Sequence, residues 1–285
     1  MPARHLVGVD VGTGSARAAV FDSTGKMLGT SAKAIQTWRP QADFVEQSSA
    51  DIWKSVCTAV KAALRQAGVS GSTVAGVAFD ATCSLVAVDD HDKPVTISPT
   101  GNDEQNIIVW MDHRAMAEAA RVTAQGHEVI SYLGGKVSPE HQIPKLMWIK
   151  KNLPATWKRA SLYFDLPDWL TYRATGRDVR SLCTTVCKWT YLGHEKAGAG
   201  WNKEFLQANK LADGLKRGAF GETIEPMGNC AGGLNYESAR ELGLEVGTPV
   251  AVGIIDAHAG GLGVLGMSSG KKTSAAAAAG KGRSA

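Results

Sequence analysis

Short apolar blocks and tight turns dominate the N-terminal part of the chain. HLVGVDVG and ARAAVFDSTGKMLGTSAKA predict a strand followed by a hairpin, with DSTGK as its turn. TVAGVAFDAT and SLVAVDDHDKPV predict two further strands, because short apolar runs bounded by turn residues are typical of buried strands. The C-terminal stretch VAVGIIDAHAGG likewise begins as a buried strand.

One segment between these strands has helical periodicity. In SSADIWKSVCTAVKAALRQAG, apolar residues recur every four positions from Ile52 to Leu64, and Gly68 is a plausible stop. Ser49 or Asp51 is expected to cap its first turn. Three strands, a helix and two strands predict an α/β fold with an antiparallel start.

Later segments alternate between helices and loops. PKLMWIKKNLPATWKRA predicts a helix broken at Pro154, and DLPDWLTYRATG and NYESARELGL predict helices that end at Gly176 and Gly243. The segment GLKRGAFGETIEPMGNC between them is expected to be mostly loop. Residues 1–267 are expected to form one folded domain, and residues 268–285, small and basic, a disordered tail.

Composition narrows the function classes only moderately. The chain has 285 residues and a net charge of +4, with its Lys and Arg scattered, so nothing indicates a nucleic-acid binder. Neither a signal core nor a membrane span is recognised, and the odd count of five cysteines favours free thiols in a reducing cytoplasm. Cys183 and Cys187 are four apart, but no His or Cys pair lies near them in sequence, so no zinc site is expected.

The turn after the first strand, in DVGTGSARAAVFD, is the first candidate for chemistry. Its glycines let backbone N–H groups approach an anion closely, and its hydroxyls add donors. The carboxylate that ends the strand could hold Mg²⁺, which prefers oxygen ligands. An ordinary β-turn remains the alternative interpretation. The candidate residues are Asp10, Gly12, Thr13, Gly14, Ser15 and Arg17.

Asp256, in GIIDAHAGG, is the second candidate. At the end of a strand that faces a cleft, its carboxylate could act as a general base on a substrate hydroxyl. Asp is also a common cap at the start of a helix, and the two roles are compatible.

Together and in this order, these stretches resemble the FGGY family of carbohydrate kinases. GVDVGTGSARAAVFD resembles the family's first phosphate loop, DFVEQSSADIW its "EQ…W" segment, IIVWMDHRA its "W-x-D-x-R" segment and GIIDAHAG its catalytic-base segment. The resemblance spans about residues 5 to 266. DATCSL and CTTVCKW look most like the ribulose-kinase branch, which acts on D-ribulose or a related pentulose or pentitol.

The resemblance implies an actin-like, ribonuclease-H-like ATPase fold, with a mixed sheet flanked by helices. It implies ATP and Mg²⁺ as cofactors and a small sugar or polyol as substrate. Asp256 would be the base, Asp10 would place the metal, and the turn that follows it would face the terminal phosphates. Asp112, Lys188 and the backbone near Ala81 would contact the sugar. Asp112 could instead cap a helix, and Lys188 could instead be a surface lysine.

The resemblance also implies two lobes, and this chain corresponds to the first. It is therefore expected to be truncated and to have little kinase activity by itself. A one-lobe protein that binds a sugar or regulates a partner is one alternative, and an unrelated α/β protein is another. The exact sugar and the formation of a homo-oligomer are left open. The region after Gly247 is expected to expose apolar surface that promotes association.

Overall fold

The computed structural model describes residues 4–194 and 200–266, which fold into mixed β-sheets flanked by helices. The predicted tail at 268–285 lies outside these residues. Over the described ranges the strands are β1 (His5–Val11), β2 (Ser15–Asp22), β3 (Met27–Ala34), β4 (Glu46–Gln47), β5 (Val74–Ala81), β6 (Leu85–Val88), β7 (Ile107–Ile108), β8 (Leu162–Asp165), β9 (Val179–Ser181), β10 (Thr223–Glu225), β11 (Cys230–Gly233), β12 (Pro249–Ala251) and β13 (Ile254–Ile255).

Helices fill the connections and cover the sheets. They are α1 (Ser49–Ala67), α2 (Met116–Ala124), α3 (Glu128–Ser131), α4 (Gln142–Asn152), α5 (Pro154–Arg159), α6 (Leu166–Thr175), α7 (Leu182–Trp189), α8 (Lys203–Ala208), α9 (Ala212–Lys216), α10 (Tyr236–Leu242) and α11 (Asp256–Gly266), with a 3-10 turn at Gly71–Thr73.

The main sheet has the strand order β11-β12-β5-β1-β2-β3, and β13 also pairs with β5. β1, β2 and β3 are antiparallel, whereas β5 runs parallel to β1, β12 and β13. The carboxyl ends of β1, β5 and β13 therefore meet at one edge of the sheet. A second sheet, β4-β7-β6-β8, lies beside the main one and has its own apolar core.

Helix α1 covers one face of the hairpin formed by β2 and β3. A Cβ at Gly29 on β3 would lie 2.6 Å from the carbonyl oxygen of Ala63 and 2.7 Å from the amide nitrogen of Ala67. Only a glycine fits there without moving the helix, so this residue sets how closely α1 packs on the sheet. Apolar residues of α1, including Ile52 and Val60, are completely buried against the strands.

Most predicted elements are present, and the differences are local. Helix α1 ends at Gly68 in the left-handed conformation as predicted, but its cap is Ser48, whose hydroxyl accepts a hydrogen bond from the amide of Asp51. The expectation that Ser49 or Asp51 caps this helix was wrong by one position or more. The expected loop GLKRGAFGETIEPMGNC contains the end of α9, all of β10 and the first residue of β11.

The C-terminal strand is interrupted, which the apolar pattern did not predict. β12 pairs with β5 through Val250 and Val77, whereas β13 pairs through Ile254 and Asp80, so one strand advances four residues while the other advances three. Such an extra residue bends a strand. A Cβ at Gly253 would lie 2.9 Å from the carbonyl oxygen of Pro167 on α6, so the bend brings the backbone against that helix.

Candidate active site

Three aspartates meet where the parallel strands end. Asp10 on β1 is in register with Asp80 on β5, and Ile254 on β13 is also paired with Asp80. Asp256 follows β13 directly and is the first residue of α11. The predicted pair of Asp10 and Asp256 is therefore brought to one sheet edge, with Asp80 between their strands.

Arg17 lies against this carboxylate cluster. Its Nη2 is 2.7 Å from Oδ2 of Asp10, its register partner on the neighbouring strand. The hydrogen bond to Asp10 chiefly raises the pKa of Arg17, with further contributions from Asp80 and Asp256. Arg17 balances part of the negative charge, and both its side chain and that of Asp10 are partly exposed.

The carboxyl group of Asp80 has a strongly perturbed pKa. Burial, followed by the charges of Asp10 and Asp256, raises the pKa of Asp80 to about 7 from an ordinary value of 3.8. Like charges close together and partial removal from water both disfavour the ionised form. A carboxyl group poised near neutral pH at a strand end is typical of a functional site.

The turn between β1 and β2 joins this cluster to a cleft. The amide of Gly12 donates to the carbonyl of Ser15, so this N–H is used within the turn. A Cβ at Gly12 would lie 2.7 Å from Nη2 of Arg17, whereas one at Gly14 would meet no atom within 4 Å. The first glycine makes room for Arg17, and the second leaves an open surface above the turn. Thr13 lines the cleft, and its hydroxyl accepts from the indole of Trp110 at 3.0 Å.

The cleft has a volume of about 400 Å³ and opens between the turn, α7 and the start of α11. Its lining mixes charged, thiol and aromatic side chains. The lining residues are Thr13, Thr82, Cys83, Trp110, Glu140, Cys187, Lys188, Ile255, Asp256, Ala257 and His258.

Lys188 is the cation of the cleft wall. Its Nζ lies 3.7 Å from Oε2 of Glu140, and its side chain is 18% exposed. Although burial works against the charge, nearby Cys83, Glu140 and Asp165 raise the pKa of Lys188 above its ordinary value. Lys188 and Asp256, both predicted from the sequence, therefore line the same cleft, and Lys188 places a charged ammonium group in its wall.

Two of the predicted sugar contacts are not in the cleft lining. Asp112 is fully buried, and its oxygens accept from the Arg114 guanidinium, at 2.8 and 2.7 Å, and from the amide of Val45 at 2.6 Å. It does not cap a helix, because α2 begins later. Ala81 is also fully buried, and the cleft is lined by the next two residues, Thr82 and Cys83.

The structure adds site residues to which no motif gave a role, above all Asp80, the first residue of DATCSL, and Glu140. A signal for Asp80 was present, because AFDAT repeats the pattern of GVDVG, an apolar strand that ends in Asp. Glu140 precedes α4 in a loop, where no periodicity marks it.

The carboxylate cluster fits a hard cation. Oδ1 of Asp10 is buried and has no hydrogen-bond partner among the described residues. An orphaned carboxylate oxygen beside a second carboxyl group is the donor type that Mg²⁺ takes, often together with water and phosphate oxygens.

A mixed sheet whose parallel strands end in carboxylates beside a cleft is the architecture of a lobe of the actin-like ATPase fold. Solved sugar kinases have the same fold. Xylulose kinase from Lactobacillus acidophilus superposes with a TM-score of 0.77 at 19% identity, covering 92% of this chain and 50% of that one. Gluconate kinase from the same organism gives 0.75 at 19% identity, covering 90% and 49%.

Residues 5–263 match the N-terminal domain of the FGGY family of carbohydrate kinases, and the chain belongs to this family. The "FGGY carbohydrate kinase domain-containing protein" of Homo sapiens is 44% identical over 269 residues, which are 93% of this chain and 48% of that protein. D-ribulokinase of Saccharomyces cerevisiae is 42% identical over 275 residues, which are 92% and 38%. The chain spans about half the length, or less, of these curated relatives.

The described helices include none with both the length and the apolar character of a membrane span. All five cysteines are free.

Proposed function

We propose that this chain supplies the sugar site and the general base of an ATP-dependent carbohydrate kinase, and that its substrate is D-ribulose or a related pentulose or pentitol. The observation that carries the proposal is the position of Asp256, at the carboxyl end of β13 and in the wall of the same cleft as Lys188 and Thr13. Family membership supports the kinase class, and the similarity to D-ribulokinase supports the pentulose.

Asp256 acts on the hydroxyl that becomes phosphorylated. Its carboxylate accepts the hydroxyl proton while that oxygen attacks the γ-phosphorus of ATP and the bond to the ADP oxygen breaks. One oxygen, Oδ1, accepts from the amide of Ala257 at 2.7 Å, which fixes the carboxylate at the start of α11. General-base assistance of this kind contributes roughly 10²–10⁴-fold in rate.

Lys188 and Glu140 orient the sugar. A sugar needs several directed polar partners, and these side chains provide a donor and an acceptor on different elements of one wall. Trp110 offers the sugar an aromatic face, because its hydrogen bond to Thr13 holds the indole ring in the cleft wall. Asp112 contributes indirectly, because its pair with Arg114 anchors the segment that carries Trp110.

The terminal phosphates of ATP lie over the turn formed by Gly12, Thr13, Gly14 and Ser15. Gly14 leaves this surface open, and Arg17 brings positive charge to its edge. Asp10 is the residue that would hold Mg²⁺, and that ion, when bound, supplies charge neutralisation for the phosphates.

The proposal is tested directly by measuring whether the purified chain binds a sugar. Titration calorimetry with D-ribulose, D-xylulose, ribitol and glycerol is expected to give saturable heat with a pentulose or pentitol. Lys188→Met is expected to weaken that binding at least about tenfold, since it removes a charged donor from the cleft. Lys203→Met, at an exposed position outside the cleft, is the matched control and is expected to bind normally.

Two results would overturn the proposal. One is the absence of heat with every sugar from a chain that unfolds in a single sharp thermal transition. The other is equal binding by the parent chain and Lys188→Met. Asp256→Asn separates binding from chemistry, because it keeps the shape of the side chain and removes only its basicity. It is expected to bind the sugar with nearly unchanged affinity.

A further inference from the structure

A second cluster of reactive side chains lies at the wall of the same cleft, next to Asp256. Cys183 and Cys187 are one helical turn apart on α7 and so share a face. His258, in the first turn of α11, faces them, with Nδ1 2.9 Å from Sγ of Cys183. One ligand atom from each of the three side chains lies within 4.8 Å of the others.

The sequence did not predict this arrangement, because His258 is distant from the two cysteines along the chain. Strand β13 brings it there, by placing the start of α11 beside α7. Cys183 packs against Ile255 of that strand, which holds the two helices together. Within residues 4–194 and 200–266, no other group of three His, Cys, Asp or Glu ligands comes as close together.

We propose that Cys183, Cys187 and His258 bind one thiophilic divalent cation of the Zn²⁺ class. Two thiolates and an imidazole are the donors that Zn²⁺ prefers, in contrast to the oxygen donors near Asp10 that suit Mg²⁺. The proposal does not depend on the kinase function, since it rests only on these three side chains.

The geometry needs little adjustment to hold the cation. With Zn–S near 2.3 Å and Zn–N near 2.0 Å, the ligand atoms of a tetrahedral site lie roughly 3.5–3.8 Å apart. The present separations, all within 4.8 Å, reach that range through small side-chain rotations. Binding releases the two thiol protons to solvent and forms two Zn–S bonds and one Zn–N bond, without a redox step.

Three protein ligands leave the fourth position of the cation open. Cys187 and His258 both line the cleft, so this position faces the space next to Lys188 and Asp256. A bound cation would therefore tie α7 to α11 and occupy part of the cleft.

Cobalt substitution tests the site without any measurement of activity. Under reducing, oxygen-free conditions, Co²⁺ is expected to bind one equivalent per chain and to give a thiolate-to-cobalt band in the near ultraviolet. Zn²⁺ is expected to displace the cobalt and abolish the band. Cys187→Ser and His258→Ala should each weaken cobalt binding by more than about 100-fold. Removing a residue that only supports a metal ligand already lowers metal affinity by up to about 100-fold, and these substitutions remove the ligand itself.

Cys230→Ser is the matched control, because Cys230 is an exposed cysteine outside the cleft. It is expected to keep the full cobalt band. His258 is exposed, so His258→Ala preserves the fold and remains informative if a cysteine variant fails to fold. The proposal is overturned if no thiolate band appears, or if the band survives in His258→Ala and Cys187→Ser, or if it is lost in Cys230→Ser.

Discussion

At the scale of single residues, the surroundings of an aspartate decide its role more than its position in a motif. Asp80 and Asp112 both follow apolar runs in the sequence. Burial, together with the like charges of Asp10 and Asp256, raises the pKa of the Asp80 carboxyl to about 7. Asp112 is fully enclosed and paired with a guanidinium. The first is therefore available for chemistry near neutral pH, and the second stabilises the fold.

The titration of Asp80 should appear in the pH dependence of stability. Because its folded-state pKa of about 7 lies above the ordinary 3.8, the folded chain keeps a proton that the unfolded chain releases. The contribution of Asp80 to stability is thus present below about pH 4 and is lost as the pH rises to about 7. Asp80→Asn should be more stable than the parent at pH 8, on the order of 1–2 kcal/mol after allowance for solvent screening at this partly exposed site.

Urea unfolding of both chains at pH 5 and pH 8 measures this difference. Asp90→Asn, at an exposed turn position, is the control and should follow the parent at both pH values. An Asp80→Asn chain that is no more stable than the parent at pH 8 would show that burial and neighbouring charges do not destabilise the ionised Asp80 carboxyl.

The pair of Asp112 and Arg114 should dominate local stability. Both side chains are completely buried, and Arg114 also binds Glu46 at 2.8 Å. Asp112→Ala leaves part of a buried charge uncompensated, so it should lower the free energy of unfolding by about 3–5 kcal/mol. Asp103→Ala breaks a similar pair with Arg159 at the surface, where the loss should stay within about 1 kcal/mol.

Chemical denaturation at one pH compares these two substitutions directly. Equal losses of stability in Asp112→Ala and Asp103→Ala would contradict the burial argument. If calorimetry showed lost sugar binding in Asp112→Ala with stability unchanged, Asp112 would belong to the sugar site after all.

At the scale of secondary-structure elements, local patterns predict what local interactions determine. The hairpin of β2 and β3, helix α1 and its end at Gly68 follow from apolar spacing and turn chemistry, and all are present. The two-residue strands β4 and β7 have no period to detect, and they form only because they pair with each other and with β6. Local patterns therefore cannot reveal them.

The same distinction explains the site. Asp10, Thr13 and Asp256 stand in recognisable motifs, and the structure brings them to one edge of the sheet and its cleft. Asp80 joins them through the register of β5 with β1, and His258 meets α7 through β13. The register of paired strands and the contact between two helices depend on residues far apart in the chain, so a short sequence motif cannot predict them.

The close packing of α1 on β3 at Gly29 predicts that a larger residue there lowers stability. Gly29→Ala would place a methyl group 2.6 Å from a backbone oxygen of the helix, so the helix must shift. Overpacking of this kind should cost about 1–3 kcal/mol of stability. Gly14→Ala, where the added methyl meets nothing within 4 Å, should change stability by less than about 0.5 kcal/mol. Melting temperatures of the two variants compare them, and a Gly29→Ala chain that melts with the parent would contradict the close contact.

At the scale of the whole molecule, helix α11 presents apolar side chains to solvent. Leu262, Val264 and Leu265 are 57%, 74% and 85% exposed, which agrees with the expectation of apolar surface after Gly247. Exposed apolar patches of this kind favour association.

Charge on α11 should therefore suppress association of the chain. Light scattering over a range of concentrations is expected to show mass increasing with concentration for the parent. The double substitution Leu262→Glu and Leu265→Glu should keep the chain monomeric. Met27→Glu, which replaces an exposed apolar residue on β3, should associate like the parent. A parent chain that stays monomeric throughout would contradict this prediction.

The convergence of β1, β5 and β13 has a consequence for the order of events during folding. The three aspartates stand at positions 10, 80 and 256, so the chain must close two long loops before they meet. Contacts between such distant residues are typical of slow steps, because the entropy of loop closure is lost before the contacts form. As the ribosome releases this chain, its N-terminal hairpin can form early, but the carboxylate cluster must wait for β13. In a newly made chain, the acidic centre therefore forms only after β13 has emerged.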